Sequence, residues 1–276
     1  MNRSSFSDTA TCHPVRPLLA AVLAAFALAA CSSTSNVASG ANAEGLLKAS
    51  AAAAQAVTLS DADVMQLADK SCAEMDAKAK VASAKGKSAQ RLARLVKGMP
   101  KEVEGVTLNY KVYETREINA WAMNNGCVRV YSGLMEKMND NELRGVIGHE
   151  IGHVALGHSK KAMQVAYAAG AARQAAASAG NSAVAALTAS EIGELAEKLV
   201  NAQFSQAQET EADDYAFDLL TTAKLKRDGL VTAFEKLAKL GDNSSMLSSH
   251  PASSERAQHI RDRLAAEKTA GKVVRK

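Results

Sequence analysis

The sequence predicts a mainly α domain with one small antiparallel β-sheet (α+β). Three observations carry that expectation. Apolar residues recur at helical spacing over most of the chain from Ser60 onward, and two short stretches between Val106 and Tyr131 alternate or run apolar instead. No strand–helix–strand alternation follows, which sets aside a parallel nucleotide-binding sheet. With 47% hydrophobic and 22% charged residues among 276, the chain can bury a core and is not disordered as a whole. Its formal charge of +4 is small and scattered, so no nucleic-acid partner is expected.

At the N-terminus, Arg3 and Arg16 precede an apolar run from Leu18 to Ala30. That run is short for a bilayer core, which takes about 20 apolar residues, and its charged front and small-residue end match a secretory signal peptide. Leu28-Ala29-Ala30-Cys31 resembles a bacterial lipobox, so cleavage is expected before Cys31 and a lipid on its thiol. The alternative is an ordinary signal peptide with Cys31 near the cut by chance. Ser32 is not the acid that resembles an inner-membrane retention signal, and the expected location is therefore the periplasmic face of the outer membrane. Residues 1–30 read as signal, 31–57 as a lipidated flexible tether, and 58–276 as the folded domain.

Ser60 and Asp63 resemble a helix start, and Val64, Leu67, Ala68, Cys72, Met75 and Ala79 share one face. The helix is predicted over 60–97 with a weak point at Gly86, ended by Gly98 and Pro100. Alternation at Val106, Leu108, Tyr110 and Val112 predicts a strand; Asn124-Asn125-Gly126 is a turn, and Cys127 to Tyr131 a second strand. Cys72 and Cys127 are the pair left once Cys12 departs with the signal and Cys31 is acylated. In an oxidising compartment a disulfide is expected, with two buried free thiols as the alternative.

Asn139 and Glu142 form a capping pair for a helix predicted to run through His158. Residues 162–190 are mostly Ala, interrupted by Gly170, Gly180, Asn181 and Ser182; they read as a helix pair or a mobile loop over a cleft rather than a membrane hairpin. One long helix is predicted from Leu195 to Leu220, and two more at Leu230–Leu240 and Ser253–Ala266.

The chemistry concentrates in His149-Glu150-Ile151-Gly152-His153, an H-E-x-x-H on a predicted helix. Four residues advance a helix by about 400°, so both imidazoles face one side, a turn apart, and can grip one metal. Glu150 lies about 100° round, where a carboxylate can exchange protons with water and a leaving amine. Zinc suits two neutral imidazoles and a carboxylate, with a fourth position open. The third ligand is a nearby His or a Glu on a later helix. His158 falls out of register with the His-type spacing and reads as a helix-end histidine favoured by the dipole. Glu209 and Asp213 share a face; one can ligate while the other orients an imidazole, and spacing does not choose between them. A solvated acidic face is the alternative.

Together, H-E-I-G-H and the later Glu209-Thr210-Glu211-Ala212-Asp213 resemble the gluzincin metallopeptidases of the HtpX, BepA, LoiP and CaaX prenyl protease kind. Asn119-Ala120-Trp121-Ala122, Val130-Tyr131-Ser132-Gly133-Leu134, and His250-Pro251 with Arg256 agree with it, so the resemblance covers about residues 60–265. The lipobox makes LoiP-like periplasmic lipoproteins the nearest branch. The resemblance implies a zincin-like fold and one Zn2+ per chain on His149, His153 and Glu209. Glu150 is then general base and acid, Asp213 orients a ligand histidine, and Glu211 is an intervening acid. It also implies an endopeptidase that degrades unfolded or misassembled envelope proteins, attached to the lipid bilayer through Cys31. Membrane-spanning helices of the HtpX and prenyl-protease branches are missing, so their substrates do not carry over. His250 and Arg256 are expected to steady an oxyanion; His250 can instead swing onto the zinc and block it, or belong to a surface turn. Strand Cys127–Tyr131 is expected to offer a free edge to an extended peptide, unless it is paired on both sides. A non-catalytic chaperone using the same cleft, or a metal that only staples helices, is the rival function.

Overall fold

The computed structural model describes residues 59–174, 184, 187–240, 245–251 and 254–273; the signal sequence, Cys31 and the tether lie outside the described residues. Helix α1 (Asp61–Lys78) opens on a reciprocal cap, in which the Ser60 hydroxyl accepts from the Asp63 N–H and the Asp63 carboxylate accepts from the Ser60 N–H. The single helix expected over 60–97 is two, since α2 (Lys87–Val96) begins only after Gly86. Between them the chain is drawn onto the sheet: Ala82 N–H donates to Val112 O at 2.9 Å, Glu114 N–H donates to Lys80 O at 2.8 Å, and Val81 bridges Tyr113. Those distant backbone partners outcompete local helix propensity.

The strand expected from Val106 to Val112 is likewise divided. Strands β1 (Glu102–Val103) and β2 (Val106–Thr107) form a tight hairpin whose corner, Glu104 and Gly105, has φ of 47° and 77°. A three-stranded sheet follows from β3 (Asn109–Tyr113), β4 (Ala120–Ala122) and β5 (Cys127–Tyr131), in the order β3-β5-β4. Central β5 runs parallel to β3 and antiparallel to β4, so the sheet is mixed and not antiparallel. The excursion through β4 is the crossover that lets β5 return parallel to β3. Because β5 is paired on both sides and buried throughout, it has no free edge; the edge strands are β4 and β3, the latter partly covered by residues 80–82.

Helix α1 packs on one face of this sheet through an ion cluster centred on a buried arginine. Arg129, in the middle of β5 and 1% exposed, grips Asp76 with Nε at 2.7 Å and Nη2 at 2.9 Å. Lys111 Nζ and Tyr113 OH donate to the same carboxylate at 2.7 and 2.8 Å. Cys72 and Cys127 are disulfide-bonded, Cα–Cα 6.4 Å, one helical turn from that cluster.

The remaining helices are α3 (Ser132–Lys137), α4 (Asp140–Ala155), α5 (His158–Gln174), α6 (Ala189–Val200), α7 (Gln206–Thr222), α8 (Asp228–Leu240), α9 (Ser245–Ser249) and α10 (Ser254–Val273). Helix α4 is the centre of the main core: Leu143, Ile147 and Ile151 lie among Phe217, Leu220 and Leu230. It ends at Ala155, and Gly157, at φ 72°, turns the chain so that His158 begins α5 instead of continuing α4. The helix expected from Leu195 to Leu220 is broken at residues 201–205, because α6 packs against α1 whereas α7 packs against α4. One straight axis cannot serve both partners. The Ala-rich stretch is helical to Gln174, and residues 175–183 lie outside the described residues. Among the described residues no helix is long and apolar enough to cross a membrane.

Burial tends to raise the Asp76 carboxyl, but its bonds from Arg129, Lys111 and Tyr113 outweigh that and hold it at about 2. Stability from this pairing is therefore present above the ordinary carboxylate pKa and lost as the pH falls through the folded value. Asp76→Asn, which leaves Arg129 buried without its counter-ion, is expected to cost about 3 kcal/mol at neutral pH in urea unfolding. The deficit relative to the native chain should shrink as pH falls from about 4 to about 2. A deficit independent of pH would show that charge pairing is not its source.

Candidate metal centre

The face of α4 that meets α7 and α8 is built from Gly145, Gly148 and Gly152, and it brings the backbones close. A Cβ on Gly152 would stand 2.9 Å from Ala212 O and 3.1 Å from Ala212 Cα; on Gly148 it would stand 3.3 Å from the Ala216 Cβ. This approach sets Glu209 and Asp213, in the first turns of α7, opposite His149 and His153 on α4. The start of α7 is fixed by Ser205, whose hydroxyl accepts from the Gln208 N–H while the Gln208 side-chain oxygen accepts from the Ser205 N–H.

Four buried side chains converge. His149 Nε2 lies 3.1 Å from His153 Nε2 and 3.2 Å from His250 Nδ1. Glu209 Oε1 is 3.0 Å from His250 Nδ1 and 3.3 Å from His153 Nε2. A tetrahedral zinc with bonds of about 2.0–2.1 Å needs donors about 3.3 Å apart, so the set has the right size. The protons argue the same way. His149 Nδ1 donates to Asp213 Oδ1 at 2.8 Å, which leaves Nε2 of the neutral ring with a lone pair aimed into the cluster. Acceptors facing acceptors in a dry interior repel unless a cation sits between them. His149, His153, Glu209 and His250 can thus hold a metal ion.

Around this set the charges are tightly arranged. Burial alone would raise the Glu209 carboxyl, yet the imidazoles of His149, His153 and His250 hold it far below the carboxylate range. The same contest, won by Arg256 and His149, lowers Asp213. Burial pushes His153 well below its usual value. In His250 burial is overcome by Glu150 and Glu209, which raise it. Glu150 is 2% exposed and its carboxyl is raised by burial; Oε1 has no hydrogen-bond partner and lies 3.5 Å from His250 Nε2. Glu150 and His250 line a pocket walled by Trp121, Met123, Leu199, Val200 and Phe204.

Of the residues singled out in the sequence, His149, Glu150, His153, Glu209, Asp213, His250 and Arg256 all meet here, but two take unexpected positions. The Arg256 guanidinium lies on the acidic pair, Nη1 at 2.5 Å from Glu209 Oε2 and Nη2 at 2.6 Å from Asp213 Oδ1, rather than standing ready as an oxyanion donor. His158 is not a helix-end histidine favoured by the dipole: it starts α5, is 7% exposed, and lies 3.1 Å from His153, ring nitrogen to ring nitrogen. Phe204 carried no sequence signal beyond being a single aromatic in a polar linker. Its ring stacks on His153 at 3.9 Å and its N–H donates to Ser249 O at 3.3 Å.

A profile of peptidase family M48 matches residues 86–264. This chain belongs to peptidase family M48. It is similar to the metalloprotease LoiP of Escherichia coli (strain K12), 52% identical over 255 residues that cover 92% of this chain and 98% of LoiP. The metalloprotease YcaL of the same strain is 53% identical over 216 residues, 78% of this chain and 85% of YcaL. The protease HtpX of Acinetobacter baumannii (strain AYE) is 60% identical over a stretch of 37 residues, 13% of this chain and 12% of HtpX. As an M48 peptidase the chain is a zinc metalloendopeptidase, and the buried His and Glu cluster has the donors such an ion takes.

The glycine face gives a direct test of how the centre is held. Gly152→Val should force α4 and α7 apart, cost about 1–3 kcal/mol in unfolding experiments, and strip bound zinc as measured by metal analysis of the purified chain. Full zinc content in that variant would show that the close approach is not what sets the ligands.

Proposed function

We propose that the chain is an outer-membrane lipoprotein that hydrolyses unfolded or misassembled envelope proteins, with zinc held by His149, His153 and Glu209 and with Glu150 as general base and acid. The observation that carries the catalytic part is the Glu150 carboxylate, buried, raised in pKa, and with an unpartnered oxygen at the pocket beside the donor set. Bound there, zinc supplies Lewis acidity toward the scissile carbonyl and makes water easier to deprotonate. Glu150 Oε1 takes the proton of the attacking water and delivers it to the departing amine, a double role that a raised carboxyl pKa favours. Asp213 fixes the His149 ring by accepting from Nδ1, and Arg256 balances the charge of Asp213 and Glu209. An extended substrate fits along the edge strand β4, whose Trp121 and Ala122 border the pocket.

His250 occupies the fourth donor position, which supports the blocking role over the oxyanion role for the conformation described. Hydrolysis then requires its side chain to leave the cluster. The lipoprotein part of the reading rests on the leader sequence ending in Cys31.

Glu150→Gln is expected to lower casein cleavage by about 10²–10⁴-fold while zinc content is kept, and chelation followed by added zinc should abolish and restore the native activity. Unchanged proteolysis in Glu150→Gln would defeat the assignment. In the same assay His250→Ala should raise basal cleavage; a fall in kcat at constant KM would return His250 to oxyanion stabilisation. Cys31→Ser should move the protein from the membrane fraction to the soluble periplasmic fraction, and unaltered membrane fractionation would remove the lipid anchor.

A further inference from the structure

The two histidines of the H-E-x-x-H pair are supported differently. His149 leans directly on Asp213, which is 0% exposed and bonded to Arg256. His153 has no carboxylate at its outer nitrogen. Its Nδ1 faces Nδ1 of His158 at 3.1 Å, and Nε2 of His158 faces Glu211 Oε2 at 3.0 Å. We infer that His158 and Glu211 form a second orienting relay, acting on His153 as Asp213 acts on His149. The inference rests on the assignment of His153 as a zinc ligand made above.

Proton accounting leaves one arrangement. The inner nitrogen of His153, Nε2, points into the donor cluster, 3.1 Å from His149 Nε2 and 3.3 Å from Glu209 Oε1. For that nitrogen to offer a lone pair, the ring's single proton sits on Nδ1. Nδ1 then donates to His158 Nδ1, which accepts, so the His158 proton sits on Nε2 and is donated to Glu211. Every nitrogen along the line is satisfied, and the line ends on a carboxylate. Either ring in its other tautomer breaks it, by placing a proton inside the cluster or by setting two buried N–H groups against each other. The turn at Gly157 is what makes this possible, since it ends α4 and sets the first side chain of α5 beside His153. Glu211 reaches back from α7 with its side chain 61% exposed, so the relay opens to solvent, unlike the sealed Asp213 contact. His158 and Glu211 are positioning residues: they touch neither substrate nor metal, and they set the tautomer, tilt and basicity of a ligand ring.

The test measures zinc affinity of the full chain by chelator competition, together with the visible absorption of the cobalt-loaded protein. His158→Leu is expected to weaken zinc binding by about 10–100-fold and to shift the cobalt bands, because the acceptor for His153 Nδ1 is gone. His158→Gln can accept from His153 and donate to Glu211 at once, and it should recover affinity to within about threefold of native. Glu211→Ala, at an exposed helical position that poses no folding problem, should weaken binding by about threefold with an unchanged melting temperature of the metal-free chain. Native affinity and spectrum in His158→Leu, or a Gln variant no better than Leu, or no effect of Glu211→Ala, would overturn the relay. His153→Gln separates the two levels. If it keeps native zinc affinity, the ligand assignment itself fails; if it loses zinc while His158→Leu does not, only the relay fails.

Discussion

Three carboxylates, Glu150, Glu209 and Asp213, share a dry interior with a single guanidinium, that of Arg256. The imidazoles of His149, His153 and His250 fill the rest of that space. An interior of low polarity does not tolerate unbalanced negative charge, and a divalent ion at the point where the donors converge balances it. Much of the surrounding architecture can be understood as holding these groups against their mutual repulsion. The glycine face of α4 admits α7 closely enough for Glu209 to reach the imidazoles, and Arg256 at the start of α10 ties the two acids of α7 together.

How much of this was readable in advance depended on the range of the interaction. His149, Glu150 and His153 were legible because helical spacing is local and the motif lies on one face. Spacing could not choose between Glu209 and Asp213, which sit one turn apart on α7; the family resemblance made that choice, and the placement of Asp213 behind His149 agrees with it. The disulfide partners were legible from the small number of cysteines and the positions of Cys12 and Cys31 in a leader-like N-terminus.

Where the readings erred, backbone partners distant in sequence decided the outcome. The chain between α1 and α2 leaves its helix because Val112 and Tyr113 offer it a strand position, and no window around Gly86 contains that information. The break between α6 and α7 likewise comes from two different packing partners. The mixed sheet follows from the detour through β4, which alternation cannot encode. His158 is a different kind of error: Gly157 is a common helix terminator and was present in the sequence, but the motif's own periodicity was extended past it. The ion cluster of Arg129 and Asp76 was invisible because a charged residue in a short strand ordinarily faces water.

The donors of the metal centre come from α4, from α7, and from the segment just after α9, while the guanidinium that balances them begins the last helix. A chain that stops before α7 therefore lacks Glu209, and one that stops before α10 leaves the carboxylates of Glu209 and Asp213 without the guanidinium that pairs them.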